Sequence, residues 1–298
     1  MASPTNLPLH TGVAFVPTIR HNTYDTISPL NADLSGKFVL VTGASKGIGR
    51  AISVAYAQAG VSGLALTARN MSGLEATRKA CLEAQHPGQH LQVLLLSTDV
   101  TDTAGVHSAL EQVKDTFQRL DIVVNNAGIM DDFYNIGDVD PNEWWDIWTV
   151  NVKGLFNVTR AALPLLISSA NGLKTIVNLT THAAHFLEPG VSAYQTSKLA
   201  ILRLSELIVA EYEEKNILCY AIHPGSIATD MAARLPEHYM IFLEDTPELA
   251  AHSIVFYTKE RRDWLAGRYI SAQWDVNDLL AKKGEIIAGD KLKVRMVV

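Results

Sequence analysis

The sequence predicts an α/β fold, a doubly wound parallel sheet of about seven strands flanked by helices in a single domain. Three observations predict it. From residue 37 to residue 222, short β-rich runs alternate with longer runs of helical pattern, and that alternation implies parallel strands covered on both faces. The first strand enters a glycine-rich turn that opens directly into a helix, the setting in which backbone can approach a phosphate. Polar residues Thr42, Arg69, Asp99 and Asn125 each fall at the carboxyl end of a strand run, where open α/β sheets bind ligands.

Composition narrows the function classes. A chain of 298 residues, 48% hydrophobic and 19% charged, can bury a real core as one large domain or two small ones. A net charge of −6 gives no support to nucleic acid or anionic membrane as a partner. No uncharged apolar run approaches the ~18 residues of a membrane span. Cys81 and Cys219 are too few for a disulfide framework and have no metal-ligand spacing. A reducing, cytoplasmic compartment and no metal site are therefore expected. The first thirty residues lack the basic start and apolar core of a signal peptide, and Arg295-Met-Val-Val298 is no peroxisomal or prenylation tail.

Residues 1–30 are rich in Pro, Thr, Asn and His without a sustained period. They read as an irregular extension, either laid across the surface and anchored by Phe15, Val16 and Tyr24, or a disordered tail. The catalytic unit is expected over 31–275, with a tail at 276–298. Lys37–Thr42 is the first strand, Gly43-Ala-Ser-Lys-Gly-Ile-Gly49 the turn, and Arg50–Ala57 a helix. The glycine spacing is Gly-x-x-x-Gly-x-Gly rather than Gly-x-Gly-x-x-Gly, and any tight strand-to-helix turn is the alternative reading. Leu64–Thr67, the second strand, ends in Ala68-Arg69-Asn70. An acid there would hold the ribose 2′-hydroxyl of NAD. Arg69 instead offers a planar cation suited to a 2′-phosphate, and Lys46 a second charge, so the pair favours NADP over NAD. Alone, either would be a solvated surface cation.

The alternation continues through helix 72–85, strand 91–96 ending at Asp99 and Val100, helix 104–120, and strand 121–124 ending in Asn125-Asn-Ala-Gly128. Asp140-Pro141 starts a long helical pattern that reaches Ser169, with Asn151 inside it. An asparagine in mid-helix marks local hydrogen bonding or a role. Strand 174–180 ends in Thr180-Thr181, and the following helix, to about Glu213, carries Tyr194 and Lys198. At i and i+4 these two share a helix face. A fixed positive charge beside a phenol lowers its pKa from about 10 and makes it a candidate general acid/base. The alternative is an ordinary exposed pair. Strand 217–222 ends in His223-Pro-Gly-Ser-Ile-Ala-Thr229.

This order of motifs resembles the short-chain dehydrogenase/reductase family over roughly residues 36–272: Thr42-Gly43-x-x-x-Gly47-x-Gly49, Asp99-Val100, Asn125-Asn-Ala-Gly128, Asn151, Tyr194-x-x-x-Lys198 and Pro224-Gly225. The resemblance implies a Rossmann-type sheet. It implies that Gly43, Ser45, Lys46, Gly47, Ile48 and Gly49 hold a pyrophosphate and that Asp99 and Val100 bound the adenine. Asn126, Ala127 and Gly128 lie beside the cofactor, and Pro224, Gly225, Ile227 and Thr229 flank the nicotinamide end. It further implies that Tyr194 exchanges the proton, that Lys198 tunes it and bonds the nicotinamide ribose, and that Asn151 holds a water in a proton relay. A serine usually lies thirteen residues before the tyrosine; Thr181 stands there, with the same donor and acceptor capacity and a stiffer χ1, and Thr180 is second choice. The long N-terminal extension and the tail beyond Asp275 look like fungal members tied to secondary metabolism.

The expected function is an NADP(H)-dependent oxidoreductase that interconverts a ketone and a secondary alcohol. Thr181, His182, Phe186, Tyr239 and Phe242 are candidate substrate contacts, with Met130, Phe133, Tyr134, His185, Leu235 and Met240 as further lining. An apolar, partly aromatic pocket follows if these converge; core or subunit contacts are the alternative for each. His182 or His185 could add an acid/base. A homodimer or homotetramer through helices 141–169 and 191–213 is implied by the resemblance. A dehydratase, an epimerase or a cyclisation catalyst on the same fold, or a non-catalytic NADP-binding sensor, are the other readings.

Overall fold

A computed structural model describes residues 9–85 and 88–296. Seven parallel strands form one sheet in the order β3-β2-β1-β4-β5-β6-β7. They are β1 Phe38–Thr42, β2 Gly63–Ala68, β3 Gln92–Ser97, β4 Ile122–Asn125, β5 Thr175–Leu179, β6 Leu218–His223 and β7 Tyr269–Ser271. The helices are α1 Gly47–Gln58, α2 Met71–Ala84, α3 Thr103–Phe117, α4 Pro141–Trp148, α5 Leu155–Ser168, α6 Ser192–Glu211, α7 Pro247–Thr258, α8 Val276–Ala281 and α9 Lys283–Ala288. No helix among the described residues is long and apolar enough to cross a membrane.

Successive strand residues point to opposite faces, and here both faces are buried. Val39 and Val41 face Ile52 and Tyr56 of α1, Leu74 of α2 and Ile254 of α7. Leu40 and Val123 face Val106 and Leu110 of α3, Val158 of α5 and Ile208 of α6. This is why the strand runs carry almost no polar residues until their ends. Neighbouring β1 and β4 are where the winding reverses, so the loops after them diverge and open a crevice at the carboxyl edge.

The long helical pattern from 141 to 169 is not one helix. Residues Thr149–Gly154 form a π-helical turn between α4 and α5. Gly154 packs against Val100, where a Cβ would lie 2.6 Å from Val100 Cγ2. The wider turn turns Asn151 inward until it is 1% exposed. Inserted π turns are a recurrent device at functional sites.

The described residues toward both ends of the chain pack on this core. Val16, Ile27, Val276, Leu279 and Ile286 are buried within it. Phe15 lies 5.2 Å from the Trp274 ring. Tyr24 Oη accepts the Val276 N–H, and Leu292 O accepts the Tyr269 N–H at the outer edge of β7.

Candidate active site

The glycine turn and β4 are tied together first. Thr42 Oγ1 accepts the N–H groups of Asn126 and Ala127 at 3.0 and 2.9 Å, and Asn126 Nδ2 donates to Thr42 O at 2.8 Å. Gly43 has φ +65°, and a Cβ on it would sit 2.8 Å from Asn126 Nδ2. A Cβ on Gly49 would run into the Gly43 carbonyl oxygen. Only glycine fits at either position. Lys46, at the N-cap of α1, offers no capping side chain, and the first turn holds no acid. The free N–H groups of α1 therefore face the crevice unopposed, a cradle for a pyrophosphate. The residues present fit a dinucleotide.

At the end of β2, Arg69 is 76% exposed on its side chain and stands 3.8 Å from Asp99 Oδ2. Lys46 pairs with Asp230 at 2.5 Å. Burial works against the Asp99 carboxylate, but hydrogen bonds from the Thr101 N–H and hydroxyl, with Arg69 nearby, hold it below the usual range.

At the centre of the crevice, Thr181 follows β5 and its hydroxyl lies near enough to the Tyr194 phenol to favour the phenolate. Thr180 is turned away, its Oγ1 donating to Lys198 O at 3.1 Å, so Thr181 is the hydroxyl on the crevice side. Lys198 Nζ donates to Leu179 O at 3.0 Å and lies 5.7 Å from the Tyr194 ring centroid. The expected lowering of the phenol pKa by Lys198 does not occur here. Burial dominates and pushes Tyr194 up to about 12, partly offset by the Thr181 hydroxyl. Burial also pulls Lys198 down to about 8. At neutral pH the pair is thus a neutral phenol beside an ammonium, poised to donate a proton.

Asn151 stands behind this layer. Its Oδ1 accepts the Ile129 N–H, and its Nδ2 donates to Ile129 O and to Ser197 Oγ, all at 2.9–3.0 Å. Both amide hydrogens are engaged, so the side chain positions the loop after β4 against α6. A Cβ on Gly128 would come 3.1 Å from Asn151 Oδ1 and 3.4 Å from Lys198 Nζ.

A cleft of about 2280 Å³ brings together every expected cofactor and substrate residue from Gly43 to Phe242, apart from Asn151. Met130, Phe133, His185 and Leu235 join its wall, whereas Tyr134 and Met240 do not. Phe133 and Tyr239 rings lie 5.5 Å apart. His182 Nδ1 is 2.8 Å from His223 Nε2, in a pair whose tautomers are linked. Burial pulls His182 down to about 4 and His223 well below its ordinary value. Both are neutral at pH 7, which makes His182 a polar lining group rather than a charged acid. Burial also lowers His185.

Sequence reasoning missed two features. Asp131 carboxylate oxygens accept the N–H groups of Ala193 and Tyr194 at 3.1 and 2.9 Å, capping α6 from sixty residues away. No local pattern links them. The N-terminal residues His10, Val13, Ala14, Ile19 and His21 also line the cleft; their irregular sequence carries no signal of that.

A family model described as short chain dehydrogenase matches residues 37–240. Short chain dehydrogenase mpl6 of Monascus purpureus is 47% identical over 98% of this chain and 99% of its own. Short chain dehydrogenase pigC of Monascus ruber is 46% identical over 94% of this chain and 93% of its own. The crystal structure of carveol dehydrogenase from Mycobacterium avium in complex with NAD superposes with a TM-score of 0.72 at 19% identity, over 81% of this chain and 97% of that one. With the glycine cradle, the seven-stranded parallel sheet and the Tyr194–Lys198 pair at its carboxyl edge, the chain belongs to the short-chain dehydrogenase/reductase family of oxidoreductases.

Proposed function

We propose that the protein is an NADP(H)-dependent oxidoreductase that interconverts a ketone and a secondary alcohol on a fairly bulky, apolar substrate. The observation that carries this reading is the Thr181–Tyr194 hydroxyl pair beside Lys198, set between the glycine cradle and an aromatic wall. A nicotinamide cofactor held by the Gly43–Gly49 turn would supply or accept the hydride. In reduction Tyr194 gives its proton to the carbonyl oxygen, and Thr181 Oγ hydrogen-bonds the same oxygen. The Lys198 ammonium then stabilises the phenolate left behind. Phe133, Phe186, Tyr239 and Phe242 favour an apolar substrate of some size.

Preference for NADP is supported by the exposed Arg69 guanidinium at the end of β2, with no acid at the position that would bond a free ribose 2′-hydroxyl, and by the second cation, Lys46, in the glycine turn, which here pairs with Asp230. A homodimer or homotetramer is supported by the exposed apolar side chains of Trp145, Phe156, Leu199 and Leu207 on α4, α5 and α6. A cytoplasmic location fits two buried, unpaired thiols.

The test is a pair of variants followed by NADPH oxidation over ketones of graded size. Tyr194→Phe should lose most of kcat, by 100-fold or more on the scale typical of general acid catalysis, while NADPH binding persists. Arg69→Asp should raise KM for NADPH far more than for NADH. Wild-type turnover in the first variant rejects the proton donor, and equal changes for both cofactors in the second reject the 2′-phosphate role.

A further inference from the structure

The N-terminal arm, residues 9–24, lies outside the stretch that the family model matches, yet it forms part of the cleft. Its Leu9–Thr11 turn packs against the His182–His185 turn that follows Thr181, so this part of the arm borders the substrate end. Val13 and Ile19 supply apolar surface there.

The arm is held at several points. Gln273 O accepts the Arg20 N–H at 2.7 Å, and Thr18 O accepts the Asp275 N–H at 3.1 Å. The Arg20 guanidinium pairs with Asp275 at 2.7 Å. The last tie reaches the site itself. His21 Nδ1 lies 2.7 Å from Asp245 Oδ1, and the Asp245 side chain is fully buried. Oδ2 of the same carboxylate accepts the Ser226 N–H at 2.5 Å and Gln273 Nε2–H at 2.8 Å. Ser226 follows Gly225, whose φ of +108° brings the turn so close that a Cβ would lie 2.7 Å from Asp245 Oδ2. One buried carboxylate therefore joins the arm, the turn after β6 and the loop after β7. His21, half exposed, is its one partner contributed by the arm.

We propose that the arm is a specificity wall for bulky substrates, latched by His21 onto Asp245, with Val13 facing the substrate and His21 acting as a positioning residue. The proposal rests on the carbonyl-reduction reading of the cleft. A small ketone held at Thr181 and Tyr194 makes little use of this wall. A polycyclic ketone extends along the His182–His185 turn and meets it. Opening the latch lets the wall move away, and a larger side chain at Val13 narrows the space for the outer part of the substrate.

The experiment uses the full chain, NADPH, cyclohexanone and the largest ketone of a graded panel that the wild type reduces. Val13→Trp should lower the ratio of kcat/KM for the large ketone over cyclohexanone by about tenfold or more. His21→Ala should raise KM for the large ketone about fivefold with kcat within about twofold. His21→Asn, whose Nδ2–H can donate where Nδ1–H does, should restore most of that loss. If Val13→Trp and His21→Ala alter both ketones by the same factor, the arm is only structural and the proposal fails while carbonyl reduction stands. If His21→Asn behaves as alanine does, the latch is wrong. If the wild type reduces no ketone of the panel, carbonyl reduction itself fails, and this proposal with it.

Discussion

Replacing Asp131 with alanine should loosen the helix that carries Tyr194 and Lys198. Val191 at the N-cap of α6 has no capping side chain, and Asp131 accepts the N–H groups of Ala193 and Tyr194 in its place. Losing an N-cap acceptor costs about 0.5–2 kcal/mol, and each buried N–H left without a partner about 1–3 kcal/mol. Against this stands the burial of the carboxyl, which lifts its pKa above the ordinary range despite those N–H bonds. The ionised group is thus already costly, and the net loss falls near the low end, about 2 kcal/mol. At about 2–4 °C per kcal/mol for a large domain, the unfolding midpoint should drop by about 4–8 °C. Activity should drop further, because a shift of about 1 Å in a reacting group can cost on the order of 100-fold; a loss in kcat of at least about tenfold is expected. Asp131→Asn keeps one acceptor and sheds the buried charge but turns an N–H donor toward the other backbone N–H, so it should recover only part of the stability. Thermal unfolding by circular dichroism and ketone-dependent NADPH oxidation measure both effects. A midpoint within about 1 °C of wild type with unchanged kcat would refute the long-range cap.

Two pH responses follow from the buried groups. Lys198, held down to about 8 by burial, loses its charge long before Tyr194, pushed up to about 12 by burial, loses its proton. The kcat for reduction should therefore decline above about pH 8, and Lys198→Arg should move that limb upward; a limb that stays put belongs to another group. His182, held at about 4 against an ordinary 6.5 by burial, stays neutral in the fold while the unfolded chain takes up a proton. The unfolded state then binds more protons between these values, so stability rises with pH across that window and is lost as pH falls through it. At 1.36 kcal/mol per pKa unit the loss from this one group is about 3 kcal/mol by pH 4. Denaturant titrations at pH 7 and 4.5 should show a smaller difference for His182→Gln than for wild type, and equal differences would exclude the buried imidazole as the cause.

The sheet, the order of its helices and the glycine cradle were legible because they rest on local rules. A strand buried on both faces needs an apolar run. A helix N-terminus that meets a phosphate needs glycines. A hydroxyl and an amine that share a face need i,i+4 spacing. Thr42, Tyr194 and Lys198 could therefore be singled out in advance, and Asn126 by the resemblance of its motif, and the structure brings them together at one edge. The π turn at Asn151 was not legible: the weak helix formers of Thr149–Gly154 mark an irregularity, but the widening itself answers to Gly154 against Val100.

What the sequence determined by itself is the family frame: that the strands run parallel, where the crevice opens and which side chains can do proton chemistry. What only the tertiary structure decided is everything that depends on burial and on contacts between distant segments. Burial reversed the expected direction of the Tyr194 pKa and kept His182 neutral. Contacts across the chain put Asp131 on the helix of Tyr194, chose Thr181 over Thr180, and carried His21 to Asp245. Periodicity and spacing record neighbours along one element, whereas desolvation and long-range hydrogen bonds arise only when separate elements close over the same space.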